Sequence, residues 1–294
     1  MSAVPIQITP QAQPRELSPA RRALLRLVRR RGAMLGLVIV LAFVVIAVFA
    51  PFISPQDPLQ TSWSAVRQAP SAQYLLGTDE IGRDVLSRVI WGARASLLAG
   101  LVSVCIAMAL GVPIGLLAGY VGGWVDGVIS RFTDSMLAVP FLILAIALAA
   151  FLGPSLTNAM IAIGVSSTPI FIRLTRGQVL SVKVEDFVEA ASAVGNPHWR
   201  IALRHILPNI LPPLIVQATL AIAAAIIAEA SLSFLGLGQQ PPAPSWGSML
   251  NTAKNYVDNA PWMAIWPGVS IFLLVLSFNL LGDGLRDALD PKHK

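Results

Sequence analysis

The chain has 294 residues, of which 55% are hydrophobic and only 12% charged; its mean hydropathy is +0.70 and its formal net charge +6. Soluble domains carry roughly a quarter charged residues, so a water-soluble globule is excluded and a lipid-embedded chain is expected. The single cysteine, Cys105, excludes an internal disulfide, and no Cys/His spacing of a metal site occurs.

Met1–Pro14 is rich in Pro and Gln and is expected to be disordered. The first run without Asp, Glu, Lys or Arg, Gly32–Ile53, is longer than a signal-peptide core. It ends in Ala50-Pro51-Phe52 in place of a small-residue cleavage site, so it predicts an uncleaved helix. Further uncharged runs cover Ala95–Val125, Ser135–Ile172, Ile206–Ala228 and Asn259–Gly282. Each reaches the ~20 residues that a spanning helix needs. The run from Ser135 is too long for one span and is broken by the turn-rich Gly153–Asn158. The fold class predicted is an all-α integral membrane protein with six transmembrane helices, at about 32–53, 93–119, 131–152, 156–176, 206–236 and 262–283. Cys105 falls inside the second and is expected to pack in the core.

Alternate loops differ sharply in Lys and Arg, sixteen on one side against five on the other. The positive-inside rule therefore places both termini and the loop after the fourth span in the cytoplasm. The net charge is a topology signal. No basic face for nucleic acid is built.

In the outer segment, Ile81, Val85, Leu86, Val89 and Ile90 recur at helical spacing and predict a surface-lying helix over 79–91, capped by Thr78 or Asp79. Asp79, Arg83, Asp84 and Arg88 are candidates for an extracytoplasmic contact, with local charge pairing as the plainer reading. On the cytoplasmic side, Asp186–Val194 reads as a short helix stopped by Gly195-Asn196-Pro197, and a second helix can begin at Pro197. Within the fifth span Glu229 is the one deep ionisable group. At ~1.5 Å per residue it lies ~35 Å along the helix, near the outer interface. The Pro and Gly within the spans are consistent with kinks.

No catalytic constellation is present. The chain has no G-x-x-x-x-G-K-[ST] loop, and His198, His205 and His293 form no H-E-x-x-H. A secondary transporter would need relay carboxylates at the midplane, and none is there.

Glu189-Ala190-Ala191, Gly195 four residues on, and Leu207-Pro208 resemble the EAA loop of permease subunits of ATP-binding-cassette (ABC) importers. His205 stands where that pattern has Ile, with Ile206 one place later. Leu75–Arg88, Gly92–Leu97, Ser233–Gly238, Pro244-Ser245-Trp246-Gly247 and Asn279–Pro291 look like the "C" permease of dipeptide, oligopeptide and nickel importers, over about residues 32–294.

The resemblance implies a type I importer permease fold in the bacterial inner membrane, with Asp186, Glu189, Ala190, Ala191, Gly195, Leu207 and Pro208 coupling to an ATPase. It implies a second homologous permease in a heterodimer, one or two cytoplasmic ABC ATPases holding ATP and Mg2+, an extracytoplasmic solute-binding protein, and a peptide substrate. Glutathione and nickel are the alternatives. No cofactor, metal or enzymatic activity is expected in this chain. Glu229 and Trp246 become candidates at the pore or its entrance. The implied organisation is a tail 1–31, a first helix 32–53, an outer segment 54–92, a core 93–283 containing the coupling loop 177–205, and a tail 284–294.

Overall fold

A computed structural model describes residues 25–289. The expected disorder of Met1–Pro14 and the last five residues of the C-terminal tail lie outside the described residues. The architecture is helical: α1 (Arg31–Ile53), α2 (Val85–Val121), α3 (Gly123–Leu137), α4 (Phe141–Leu152), α5 (Leu156–Val182), α6 (Asp186–Ala193), α7 (Leu207–Phe234), α8 (Trp246–Ala253) and α9 (Trp262–Leu289). Among the described residues there is no strand, only an isolated antiparallel bridge between Thr78 and Asp84.

Among the described residues four helices are long and apolar enough to cross a membrane: α1, α2, the continuous run His198–Phe234 that ends as α7, and α9. The third predicted span is a broken pair: α3 and α4 pass the same test together but meet at 89°. Pro140 causes the break, because it lacks an N–H and restricts Val139 before it. The fourth, α5, is long but carries Asn158, Ser166, Ser167, Thr168 and Thr175, and falls below the others in apolarity. It tolerates these groups because α2, α4 and α7 surround it.

The tightest seam joins α2 to α5. Gly111, Gly115 and Gly119 recur every fourth residue on one face of α2. A Cβ at these positions would lie 2.6 Å from Phe171 Cβ, 2.5 Å from the Ile172 carbonyl and 2.8 Å from Val179 Cβ. Small residues at this spacing let helix backbones touch in lipid, where no hydrophobic force drives helices together. Two ion pairs, Arg176–Asp126 and Arg173–Asp134, then tie α3 to α5. One apolar cluster fills the space among α2, α5, α6 and α7 around Ile163, Phe171 and Ile210. A second, around Trp246, joins α1, α2, α8 and α9.

The predicted surface helix over 79–91 does not form. α2 starts at Val85, capped by Asp84, whose carboxylate accepts from the Ser87 N–H at 2.8 Å, and runs into the membrane without a break. Residues 77–84 make a tight turn instead. Asp79 Oδ1 accepts from the backbone N–H of Ile81 and Arg83 (3.1 and 2.9 Å), a side-chain bond that competes with helix. Gly82 at φ +79° packs against the Ser62 carbonyl. Cys105 is exposed on α2, not in the core.

Candidate functional site

The Glu-Ala-Ala stretch forms α6, with Asp186 and Glu189 in its first turn, where carboxylates are favoured by the helix dipole. Gly195 ends it at φ +78°. Its N–H donates to Ser192 O (2.9 Å) and that of Asn196 to Ala191 O (3.3 Å), the paired bonds of a Schellman stop. A Cβ on Gly195 would meet nothing within 4 Å, so the requirement for glycine is conformational alone.

The two alanines differ. Ala190 is exposed with Glu189, whereas Ala191 is buried with Val188 in the cluster that contains Ile201, Ala202 and Ile206. Ala191 therefore lets α6 sit down on its own chain and is not offered to a partner. Ile206 is fully buried too, while Leu207 is half-buried and Pro208 exposed. Beyond Pro197 the helical turn His198–Arg200 passes through a π-helical segment, Ile201–Ile206, directly into α7. Around α6 stand exposed apolar side chains, Phe187, Val194 (78%) and Trp199 (66%). Isolated exposed apolar residues are ordinary, and these three are apolar side chains that the loop leaves uncovered.

Three residues that the sequence did not single out anchor this loop. The Tyr120 hydroxyl, at the end of α2, lies 2.9 Å from His198 Nδ1. Lys183 Nζ donates to the Tyr120 carbonyl at 2.7 Å and stands 5.4 Å from the centre of its ring. Together with Glu189 and Trp199 they wall a groove of about 810 Å3 between α2 and α6.

The outer candidates are inward-facing. Glu229 on α7 is 0% exposed; its carboxylate accepts from Ser96 Oγ of α2 (3.2 Å) and Ser233 Oγ (2.7 Å). Ser233 Oγ also accepts from the Gln239 N–H, so the cluster ties α2, α7 and the loop that follows α7 together. Trp246 is fully buried; its Nε1 donates to Val89 O (3.0 Å) and Phe43 meets its ring edge-on. Neither residue lines an opening in this structure.

Asp79, Arg83, Asp84 and Arg88 are all buried and satisfied within the chain, as local pairing would have it. Arg83 holds Asp79 (2.6 Å) and Glu80 (2.7 Å), Arg88 approaches Asp79 at 3.4 Å and donates to Pro58 O, and Asp84 is the α2 cap. Burial, then the neighbouring Asp79, push the Glu80 carboxyl above its ordinary value. Among the described residues no group of three or more His, Cys, Asp or Glu stands close enough to hold a metal ion.

Comparison with known proteins gives a consistent set of matches. The family described as "Binding-protein-dependent transport system inner membrane component" matches residues 111–294, and "N-terminal TM domain of oligopeptide transport permease C" matches residues 18–70. The chain is similar to the dipeptide transport system permease protein DppC of Alkalihalophilus pseudofirmus, 48% identical over 100% of this chain and 97% of that one. It is likewise similar to DppC of Escherichia coli K12, 50% identical over 90% and 91%. It also resembles the glutathione transport system permease protein GsiD of Shigella flexneri, 48% identical over 90% and 88%. Among solved structures, an inward-facing form of the MetNI methionine ABC transporter aligns at TM-score 0.57 and 21% identity, over 70% of this chain and 97% of that one.

Proposed function

Since the chain belongs to the family of binding-protein-dependent transport system inner membrane components, we propose that it forms half of the pathway by which an ABC importer carries dipeptides and oligopeptides into a bacterial cell. It is a multi-pass permease subunit of the inner membrane. The observation that carries the coupling role is the presentation of α6. Val188 and Ala191 root it in the core, Tyr120 and Lys183 brace the loop from α2 and α5, and Glu189, Ala190 and Phe187 face outward.

In this reading α5 crosses the membrane as well, α3 and α4 make one bent crossing, and both ends of the chain are cytoplasmic. A second, homologous permease completes the pore as a heterodimer. One or two cytoplasmic ATPases bind ATP and Mg2+ and seat α6, and an extracytoplasmic binding protein delivers the peptide. This chain makes and breaks no covalent bond. Closure of the ATPases moves α6 and, through the continuous His198–Phe234 run, the outer end of α7. The peptide substrate is supported by relatives named as dipeptide permeases. Glutathione, itself a peptide, is the second reading, supported by the relative at 48% identity.

The test is uptake of labelled di- and tripeptides and glutathione by cells lacking this chain, with wild-type and Gly195 variants restored. Gly195→Asn tolerates a positive φ and should keep most uptake; Gly195→Val should lose it, since a branched residue in the left-handed region costs on the order of 1–3 kcal/mol. Equal uptake by Gly195→Val in an assembled complex would remove α6 as the coupling element.

A further inference from the structure

The seam between α1 and α2 opens into a groove of about 480 Å3, walled by Leu98 and Leu101 of α2 and Val44 and Val48 of α1. Its lining is apolar except for one cation, Arg94. The Arg94 guanidinium stands 5.2 Å from the centre of the Trp91 ring. No carboxylate among the described residues pairs with it, for Asp79 and Glu80 are held by Arg83 and Arg88. Trp91 Nε1, one turn away, is buried without an acceptor. Trp91 is not among the residues that line the Arg94 groove and faces a separate recess, about 560 Å3, shared with Pro51 near the end of α1.

A guanidinium without an acceptor at the head of an apolar groove asks for an amphipathic ligand with an anionic head. The groove lies along two helices that are apolar enough to span a membrane. From Trp91 to Leu101 the helix rises ~15 Å, half of the ~30 Å hydrocarbon core and so the depth of one leaflet. A cation at this depth is costly unless its head reaches a phosphate. The guanidinium fork fits a phosphate's geometry. We propose that this seam holds one phospholipid, its phosphate on Arg94 and one acyl chain laid along Leu98, Leu101, Val44 and Val48. The lipid seals α1 to α2 at the membrane surface. A helix of another subunit would have to bring a buried anion to take its place.

The assembled importer, purified in mild detergent and washed free of loosely held lipid, is the material for the test. Native mass spectrometry is expected to find one phospholipid retained per copy of this chain. Occupancy should fall about tenfold or more in Arg94→Gln, the loss of a charge-assisted contact, and fall likewise in Leu98→Trp, which fills the groove and leaves the charge. Arg94→Lys should retain part. Added phosphatidylglycerol should raise the melting temperature of wild type and not of Arg94→Gln, whereas inorganic phosphate or glycerol phosphate should raise neither. Equal retention in wild type and both variants, retention in none, or a response to inorganic phosphate alone overturns the proposal. None of these readouts uses transport, so failure here leaves the import function standing.

Discussion

The Tyr120 hydroxyl, 2.9 Å from His198 Nδ1, joins the C-terminal end of α2 to the first turn beyond Gly195. At the far end of the same two helices, Ser96 of α2 donates to Glu229 of α7. α2 and the coupling–α7 run are thus pinned at both ends. In the proposed coupling, a push on α6 reaches both helices through the Tyr120–His198 pin.

Tyr120→Phe removes that one hydrogen bond and leaves the ring against His198 and the Lys183 bond to the backbone carbonyl in place. A hydrogen bond of this kind contributes about 0.5–1.5 kcal/mol. The expected result is a two- to tenfold drop in peptide imported per ATP hydrolysed, roughly the equilibrium equivalent of that energy. Hydrolysis itself should persist. Uptake and hydrolysis measured side by side in reconstituted vesicles decide it; a proportional loss of both would show Tyr120 to be merely structural.

The glycine face of α2 sets a stability prediction. In Gly115→Ala the new Cβ would lie 2.5 Å from the Ile172 carbonyl and 2.7 Å from Thr175 Cβ, and neither can rotate away. α2 and α5 must separate, at a cost of about 1–3 kcal/mol. Gly127→Ala, on α3 with nothing within 4 Å, is the control and should be neutral or slightly stabilising, because Ala is the better helix former. Melting temperatures of the two variants in one detergent should therefore move apart.

Apolar run length alone gave the order and rough limits of the helices, because lipid demands uninterrupted backbone bonding. Gly195 was legible as a stop, since few other residues take a positive φ. The 89° bend between α3 and α4 was not, although Pro140 marks its place, because run length carries no direction. The outer helix over 79–91 failed because its periodicity was real but the Asp79 side chain and Gly82 close a turn first. The burial of Ala191, placed in the coupling set with Ala190, was not legible, because the loop motif does not say which face of a short helix its own chain covers. Tyr120, Lys183 and His198 left no local signal: their contacts span 63 and 78 residues, which spacing cannot express.

The outer turn carries a pH dependence. Glu80 has its carboxyl raised by burial and by Asp79, so the folded state binds its proton more tightly than the unfolded chain does. The neutral form's contribution is complete below the ordinary carboxylate range and is lost as pH rises through the raised value, so stability falls across that window. Glu80→Gln should flatten this slope while keeping an acceptor for Arg83. Melting temperature followed from the ordinary carboxylate range to neutrality would show parallel curves for wild type and variant if Glu80 were not responsible.

Glu229 separates a substrate contact from an internal tie. Its carboxylate is wholly enclosed and meets two hydroxyls and no cation. Glu229→Gln keeps the shape and can accept from one serine while donating to the other, so uptake should stay within about twofold of wild type, with the melting temperature little changed. Glu229→Ala strands both hydroxyls and opens a void; leaving buried polar groups unsatisfied costs about 1–3 kcal/mol each, and the complex should melt earlier whatever the substrate. An entrance role would invert the pattern. A charge that draws in the peptide's amino terminus would make Glu229→Gln raise the uptake KM for cationic peptides with no change in melting. The pair of measurements, KM and melting temperature on the same two variants, therefore assigns Glu229 to the helix tie or to the path of the substrate.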